Sequence, residues 1–131
     1  MKLRLLIGES VPFLAEMYHE KLTNLRCDVT LCYKDDECLY KYQQHARISS
    51  NNLENKNPFD VVIMDDGLMQ NGIKTVNDII SINPKQKILF ITGRKENFLP
   101  KQCIEIIEKP FSMKNFIQRL GKMNETMHNP M

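Results

Sequence analysis

The stretch Phe59 to Gly72, FDVVIMDDGLMQNG, constrains this chain more than any other, because an apolar run ends abruptly in two acids and a glycine. Val61, Val62, Ile63 and Met64 are largely β-branched and lack the in/out alternation of a half-exposed strand, so both faces are expected to be covered, as in a parallel sheet. Asp65 then falls at the carboxyl end of the strand. Ligands of open α/β sheets bind in the crevice outside strand carboxyl ends, near the point where strand order reverses, and an acid there is a functional candidate. The competing reading is that Asp65 and Asp66 only close a turn before the next helix, as Asp commonly does. Taken alone, the pair favours the turn.

The rest of the chain repeats the strand-then-helix pattern. Leu3 to Ile7 form a short apolar strand, broken by Gly8, Glu9 and Ser10. Ser10 is the expected N-cap of a helix with Pro12 in its first turn, where a missing N–H costs nothing. That helix runs to about Leu25, with Leu14, Met17, Tyr18, Leu22 and Leu25 on one core stripe and His19 off it in solvent. Arg26 to Tyr33 read as a second strand. Lys34, Asp35 and Asp36 then lead into a helix carrying Cys38, Leu39 and Tyr42, the acids suiting a helix N-terminus. Residues 47–58, RISSNNLENKNP, have almost nothing to bury and read as a mobile loop without chemistry, with His45 at the surface before it. Ile73, Val76, Ile79 and Ile80 trace a helix stopped by Asn83 and Pro84, and Lys87 to Thr92 make a fourth strand. A last strand, Ile104 to Glu108, delivers Lys109 and Pro110 ahead of a helix from Ser112 with the stripe Phe116, Ile117, Leu120 and Met123. Strands alternating with helices of this length imply an α/β fold with a doubly wound parallel sheet.

With 131 residues, 42% hydrophobic and 26% charged, the chain is expected to be one domain, 1–131, with no output domain beside it. Its formal charge of +2 hides an uneven distribution, nine basic and twelve acidic side chains in residues 1–83 against nine and four in 84–131. No dense Lys/Arg cluster with interleaved aromatics accompanies that excess, so no nucleic acid is expected as a partner. Cys27, Cys32, Cys38 and Cys103 show no CxxC spacing and read as buried thiols of a reducing cytosol rather than zinc ligands or disulfide partners. No signal peptide or membrane span is apparent, so a cytoplasmic protein without membrane contact is expected.

The strand carboxyl ends together present Glu9, Asp65, Thr92 and Lys109, and with them the chain resembles a response-regulator receiver domain (CheY-like). The likeness rests on the acid after strand one, the DVVIMD run ending in Asp65, the hydroxyl of Thr92 followed by Gly93, the Lys109-Pro110-Phe111 sequence and the helix after it. It covers almost the whole chain. It implies a flavodoxin-like five-stranded sheet in the order 2-1-3-4-5. It also implies phosphoryl transfer to Asp65 from a histidine kinase or histidine phosphotransfer protein, and signalling through altered binding of a downstream protein target. The likeness further implies Mg2+ held by Glu9, Asp65 and the main-chain carbonyl of Gly67, with Lys109 supplying an ammonium, Thr92 a hydroxyl to the phosphoryl group, and a cis Lys109-Pro110 bond. Such transfer depends on positioning and charge neutralisation, since the incoming group adds about two negative charges beside carboxylates.

The departures are as specific as the matches. Gly8 and Glu9 stand where two adjacent acids are usual, so Mg2+ binding is expected to be weak and an acid restored at Gly8 to tighten it. Asp66 is read as a solvated turn acid. Met69 replaces the usual proline, and Gly72 comes one residue early. Only eleven residues, Gly93 to Cys103, join the last two strands, so the fourth crossover helix is expected to be shortened or missing. With Ile106 in place of a switching aromatic, partners are expected at the first and last helices, around Tyr18, Lys21, Lys114 and Gln118, or else at Phe98 and Leu99. Two other functions stay open: an unphosphorylated pseudo-receiver acting as a protein-interaction module, and a small nucleotide-binding α/β enzyme, against which stands the lack of GxGxxG or GxxxxGK[ST].

Overall fold

The computed structural model describes residues 2–50, 57–68, 72–93 and 103–128. Five strands, β1 (Arg4–Gly8), β2 (Asp28–Cys32), β3 (Val61–Asp65), β4 (Ile88–Thr92) and β5 (Ile104–Glu108), alternate with helices α1 (Pro12–Asn24), α2 (Asp35–Ser50), α3 (Gly72–Ile82) and α4 (Met113–His128). All pairings are parallel, in the order β2-β1-β3-β4-β5. This is the expected doubly wound α/β sheet. Residues 94–102 of the β4–β5 connection, where the shortened or missing helix is expected, lie outside the described residues, and Phe98 and Leu99 with them, as does Met69.

The pleat of each strand sends alternate side chains to opposite faces and so builds two cores. Leu6, Val62, Met64, Ile88 and Phe90 pack beneath Tyr42 of α2 and Val76 and Ile79 of α3. Leu5, Ile7, Val61, Ile63, Leu89 and Ile91 pack beneath Tyr18 and Leu22 of α1 and Phe116, Leu120 and Met123 of α4. Every residue of β3 and β4 is buried, as uninterrupted apolar runs require, whereas the edge strand β5 exposes Glu105 and Glu108. Charge on an edge strand discourages pairing with another chain. Gln86 is wholly buried yet satisfied: it accepts from the Tyr42 hydroxyl at 2.7 Å and donates to the carbonyls of Phe59 and Lys87 at 3.0 Å each.

Several local expectations are corrected. Ser10 caps nothing; Val11 occupies the N-cap without a side-chain hydrogen bond, and the acid before it takes over, the Val11 N–H donating to Glu9 Oε2 at 3.1 Å. Leu25 is exposed because the helix has already ended, and Ala15 fills the stripe instead. The second strand starts at Asp28 rather than Arg26, since Arg26 turns with φ 67° while its N–H donates to the Thr23 carbonyl and that of Cys27 to Leu22. That is a Schellman closure, whose left-handed position favours glycine. Arg26→Gly is therefore expected to raise stability by about 0.5–1 kcal/mol, read as a higher urea midpoint at unchanged m.

Helix α2 continues through residues 47–50, against the loop expected there, and His45 is not at the surface but half-buried against Phe59, with ring centroids 4.6 Å apart, which holds the helix end to the core. Residues 51–56 of that loop lie outside the described residues. Cys32 and Cys38 are not free thiols but a disulfide with Cα atoms 5.3 Å apart; Cys27 and Cys103 are free. The register ends with Cys32 beside Gly8, and the first turn of α2 lays Cys38 over the same spot, so topology brings together two cysteines whose spacing matches no motif.

Candidate functional site

Strand parity decides which side chains meet at the carboxyl end of the sheet. Glu9 continues the Leu5, Ile7 series of β1, Asp65 the Val61, Ile63 series of β3, and Lys109 the residue after Ile107 by the same two-residue step in β5, so all three emerge on the α1/α4 side. Asp66 and Thr92 continue the opposite series, Val62 and Met64 in β3, Ile88 and Phe90 in β4. The β3–β4 register pairs Asp65 with Ile91, which sets Asp66 beside Thr92.

Asp65 is 5% exposed, and Lys109 Nζ lies 2.9 Å from its Oδ2 and 3.1 Å from its Oδ1. The Gly67 N–H donates to Asp65 Oδ1 at 2.7 Å. The Lys109-Pro110 bond is cis, and the Lys109 N–H donates to the Thr92 carbonyl at 2.9 Å, fixing the lysine to the last rung of the sheet. Asp66 is no solvated turn acid. Its Oδ2 accepts from the Thr92 hydroxyl at 2.5 Å and from the Gly93 N–H at 3.3 Å, and its Oδ1 lies 3.5 Å from Lys109 Nζ.

Two carboxylates thus hold one ammonium, and Glu9 stands beside Asp65. Burial lowers the pKa of Lys109, but Asp65 and Asp66 outweigh it and hold the amine above its ordinary value. Burial raises Asp66, yet the Thr92 hydroxyl, the lysine and the Gly93 N–H together bring it below the usual range. Glu9 moves the other way: burial and the Asp65 carboxylate raise it against the Val11 N–H and Lys109. Burial, Glu9 and Asp65 push the Tyr18 hydroxyl up to about 12. A cleft of about 490 Å³ opens from these polar groups between Leu14, Met17, Phe111 and Met113.

The donor set fits a magnesium ion. Glu9 Oε1 is buried without a hydrogen-bond partner beside another carboxylate, an arrangement that a divalent cation would relieve. Among the described residues no group of three or more His, Cys, Asp or Glu could hold a metal, but Mg2+ commonly takes one or two carboxylates and keeps several waters. The expected Gly8 defect has a different cause from the one its sequence position suggests. Gly8 faces away from the site: a Cβ there would stand 2.5 Å from Met64 Sδ and 3.0 Å from Cys38 Sγ and Leu68 Cδ2. Restoring an acid at Gly8 is thus not expected to tighten Mg2+ binding. Tyr18 is also corrected as a contact residue, since its ring is buried against Phe116 with centroids 5.2 Å apart; Lys21, Lys114 and Gln118 are exposed.

Glu9→Gln tests this electrostatic picture. Because the folded pKa of Glu9 is raised, its contribution to stability is fully present below the unfolded value of 4.5 and is lost as pH rises through the folded value. Without metal, Glu9→Gln should remove that loss and raise the thermal midpoint near pH 7 by a few degrees, about 4 °C per kcal/mol. If Mg2+ binds there, the wild type should gain stability on adding the ion and Glu9→Gln should not. Asp66, with its lowered pKa, loses its contribution only as pH falls below 3.8, so the two windows are separable in melts against pH.

No protein-family model matches the chain. Protein CcdB of Bacillus subtilis is 34% identical over 58 residues, 44% of this chain and 48% of that protein, so the match spans about half of either. Among solved structures, a response regulator receiver domain protein from Clostridium thermocellum aligns with TM-score 0.76 at 18% identity over 98% of this chain and 99% of its own. A receiver domain protein from Bacillus halodurans gives 0.69 at 20% identity over 94% and 97%. The response regulator TrrA from Thermotoga maritima, in complex with Mg(2+)-BeF, gives 0.70 at 21% identity over 94% and 99%. The fold is that of response-regulator receiver domains. No helix among the described residues is long and apolar enough to cross a membrane.

Proposed function

We propose, on the premise of that fold, that this chain is a phosphoacceptor receiver, taking a phosphoryl group onto Asp65 from a phosphohistidine of a histidine kinase or histidine phosphotransfer protein. The observation that carries the reading is the 2.9 Å contact of Lys109 with Asp65 beside the unpartnered Oε1 of Glu9. In the transfer a new bond forms between an Asp65 oxygen and phosphorus, the phosphorus–nitrogen bond to imidazole breaks, and the leaving imidazole takes a proton from solvent. Lys109 orients the attacking carboxylate and neutralises a phosphoryl oxygen. Glu9, Asp65 and the Gly67 carbonyl would hold Mg2+, which when bound supplies the remaining positive charge. Thr92 would donate its hydroxyl to the phosphoryl group. The donor would enter by the cleft between α1 and the start of α4, lined by Leu14, Met17, Phe111 and Met113, and a downstream target would compete for the exposed α4 positions Lys114 and Gln118.

A second reading, an unphosphorylated interaction module, is favoured by Gly8, where Met64, Cys38 and Leu68 leave no room for a second acid. Amide NMR with Mg2+ and beryllofluoride separates the two. Shifts at Asp65, Thr92 and Lys109 support the phosphoacceptor; a folded protein silent at millimolar Mg2+ is the interaction module.

A further inference from the structure

We propose that Asp66 is an internal occupant of the phosphoryl-binding positions, a built-in competitor that any group arriving on Asp65 must displace. The inference rests on the phosphoacceptor reading and concerns how that site is regulated. A phosphoryl group on Asp65 needs a hydroxyl, a backbone N–H and an ammonium around its oxygens. All three donors are engaged by one neighbouring carboxylate: Thr92 Oγ1 at 2.5 Å and Gly93 N at 3.3 Å on Oδ2, Lys109 Nζ at 3.5 Å on Oδ1. The arrangement is imposed by the sheet. The Asp66 N–H donates to the Ile91 carbonyl at 2.9 Å, holding residue 66 in register with residue 92, and the pleat turns its side chain toward Thr92 while Asp65 faces Glu9.

Asp66 acts in two ways on an incoming anion. It holds the hydroxyl that the anion would use, and its negative charge repels the anion at contact range. The unmodified domain therefore keeps Thr92 drawn to a carboxylate already, and modification exchanges one anion for another instead of creating the contact. Asp66 is a positioning residue in this scheme, touching Thr92 and Lys109 and forming no bond to phosphorus.

The test is beryllofluoride binding at fixed Mg2+, followed by amide NMR on the full chain, for wild type, Asp66→Ala, Asp66→Asn, Thr92→Val and the double variant Asp66→Ala with Thr92→Val. Asp66→Ala is expected to bind about tenfold tighter than wild type, because a unit charge leaves contact range. Asp66→Asn, which keeps an acceptor for Thr92 without the charge, should fall between them and also controls for folding. Thr92→Val should cost about fivefold more in the Asp66→Ala background than alone, since only there is the hydroxyl available to the ligand without exchange. Binding by Asp66→Ala where the wild type is silent would be the same result in stronger form. Wild-type binding that Asp66→Ala leaves equal or weakens, or strictly additive effects at 66 and 92, would overturn the proposal and leave the phosphoacceptor reading standing. Silence in every folded variant would overturn both.

Discussion

Asp65→Asn is expected to abolish every response to Mg2+ with beryllofluoride and to leave no alkali- and hydroxylamine-labile phosphoryl group after exposure to a phosphohistidine donor. An amide has neither the charge to balance a divalent cation nor the nucleophilic oxygen that forms the acyl phosphate, so the loss should be complete rather than graded. The fold should survive, because the change has two opposed effects on stability. It weakens the contact with Lys109 at 2.9 Å, and it also removes the carboxylate that helps raise Glu9. Circular dichroism melts within a few degrees of wild type would establish that. Asp66→Asn gives the contrast, since it spares the acceptor and removes only a neighbour. If Asp66→Asn were silent and Asp65→Asn responsive, the acids would have exchanged roles.

Gly8→Asp should be the most damaging single change near the site. Its side chain would begin 2.5 Å from Met64 Sδ, a contact that cannot exist unrelaxed, and Met64, Cys38 and Leu68 are themselves wholly buried. Overpacking alone costs about 1–3 kcal/mol. A carboxylate among these groups would add the cost of a buried charge without a partner, roughly 3–5 kcal/mol more. Thermal midpoints should fall by on the order of 10 °C or more, with Gly8→Ala showing the packing part alone. A Gly8→Asp protein as stable as wild type and binding Mg2+ more tightly would mean that the side chain turns out into the site after all.

The legible parts of this molecule are those fixed by short-range patterning. Uninterrupted apolar runs at Val61–Met64 and Ile88–Ile91 identify strands covered on both faces, and acids or lysine at their ends fall at one rim whatever the details. Glu9, Asp65 and Lys109 could be placed together for that reason. The Asp66–Thr92 contact could also have been found, since the two-residue period that sends Asp65 to one face sends Asp66 to the other; what the sequence lacks is the β3–β4 register that sets residue 66 opposite 92. The disulfide was hidden differently. Cys32 ends a strand and Cys38 lies in the first turn of a helix, and their approach depends on the path of the chain between them and on the missing side chain at Gly8. Tyr18 looked available because an amphipathic stripe does not say which of its members meets a second helix, and Phe116 of α4 lies far along the chain.

The sheet separates two apolar layers that share no side chain, and the acids of the site divide between them. Glu9 and Asp65 stand over the layer beneath α1 and α4, Asp66 and Thr92 over the layer beneath α2 and α3, and Lys109 reaches an acid on each side. On the proposed reading, a cation settling between Glu9 and Asp65 would speak first to one side of the molecule, and an anion that took Thr92 from Asp66 would speak first to the other. The pleat makes the sheet a partition, and traffic across it would pass through the lysine that touches a carboxylate on either side.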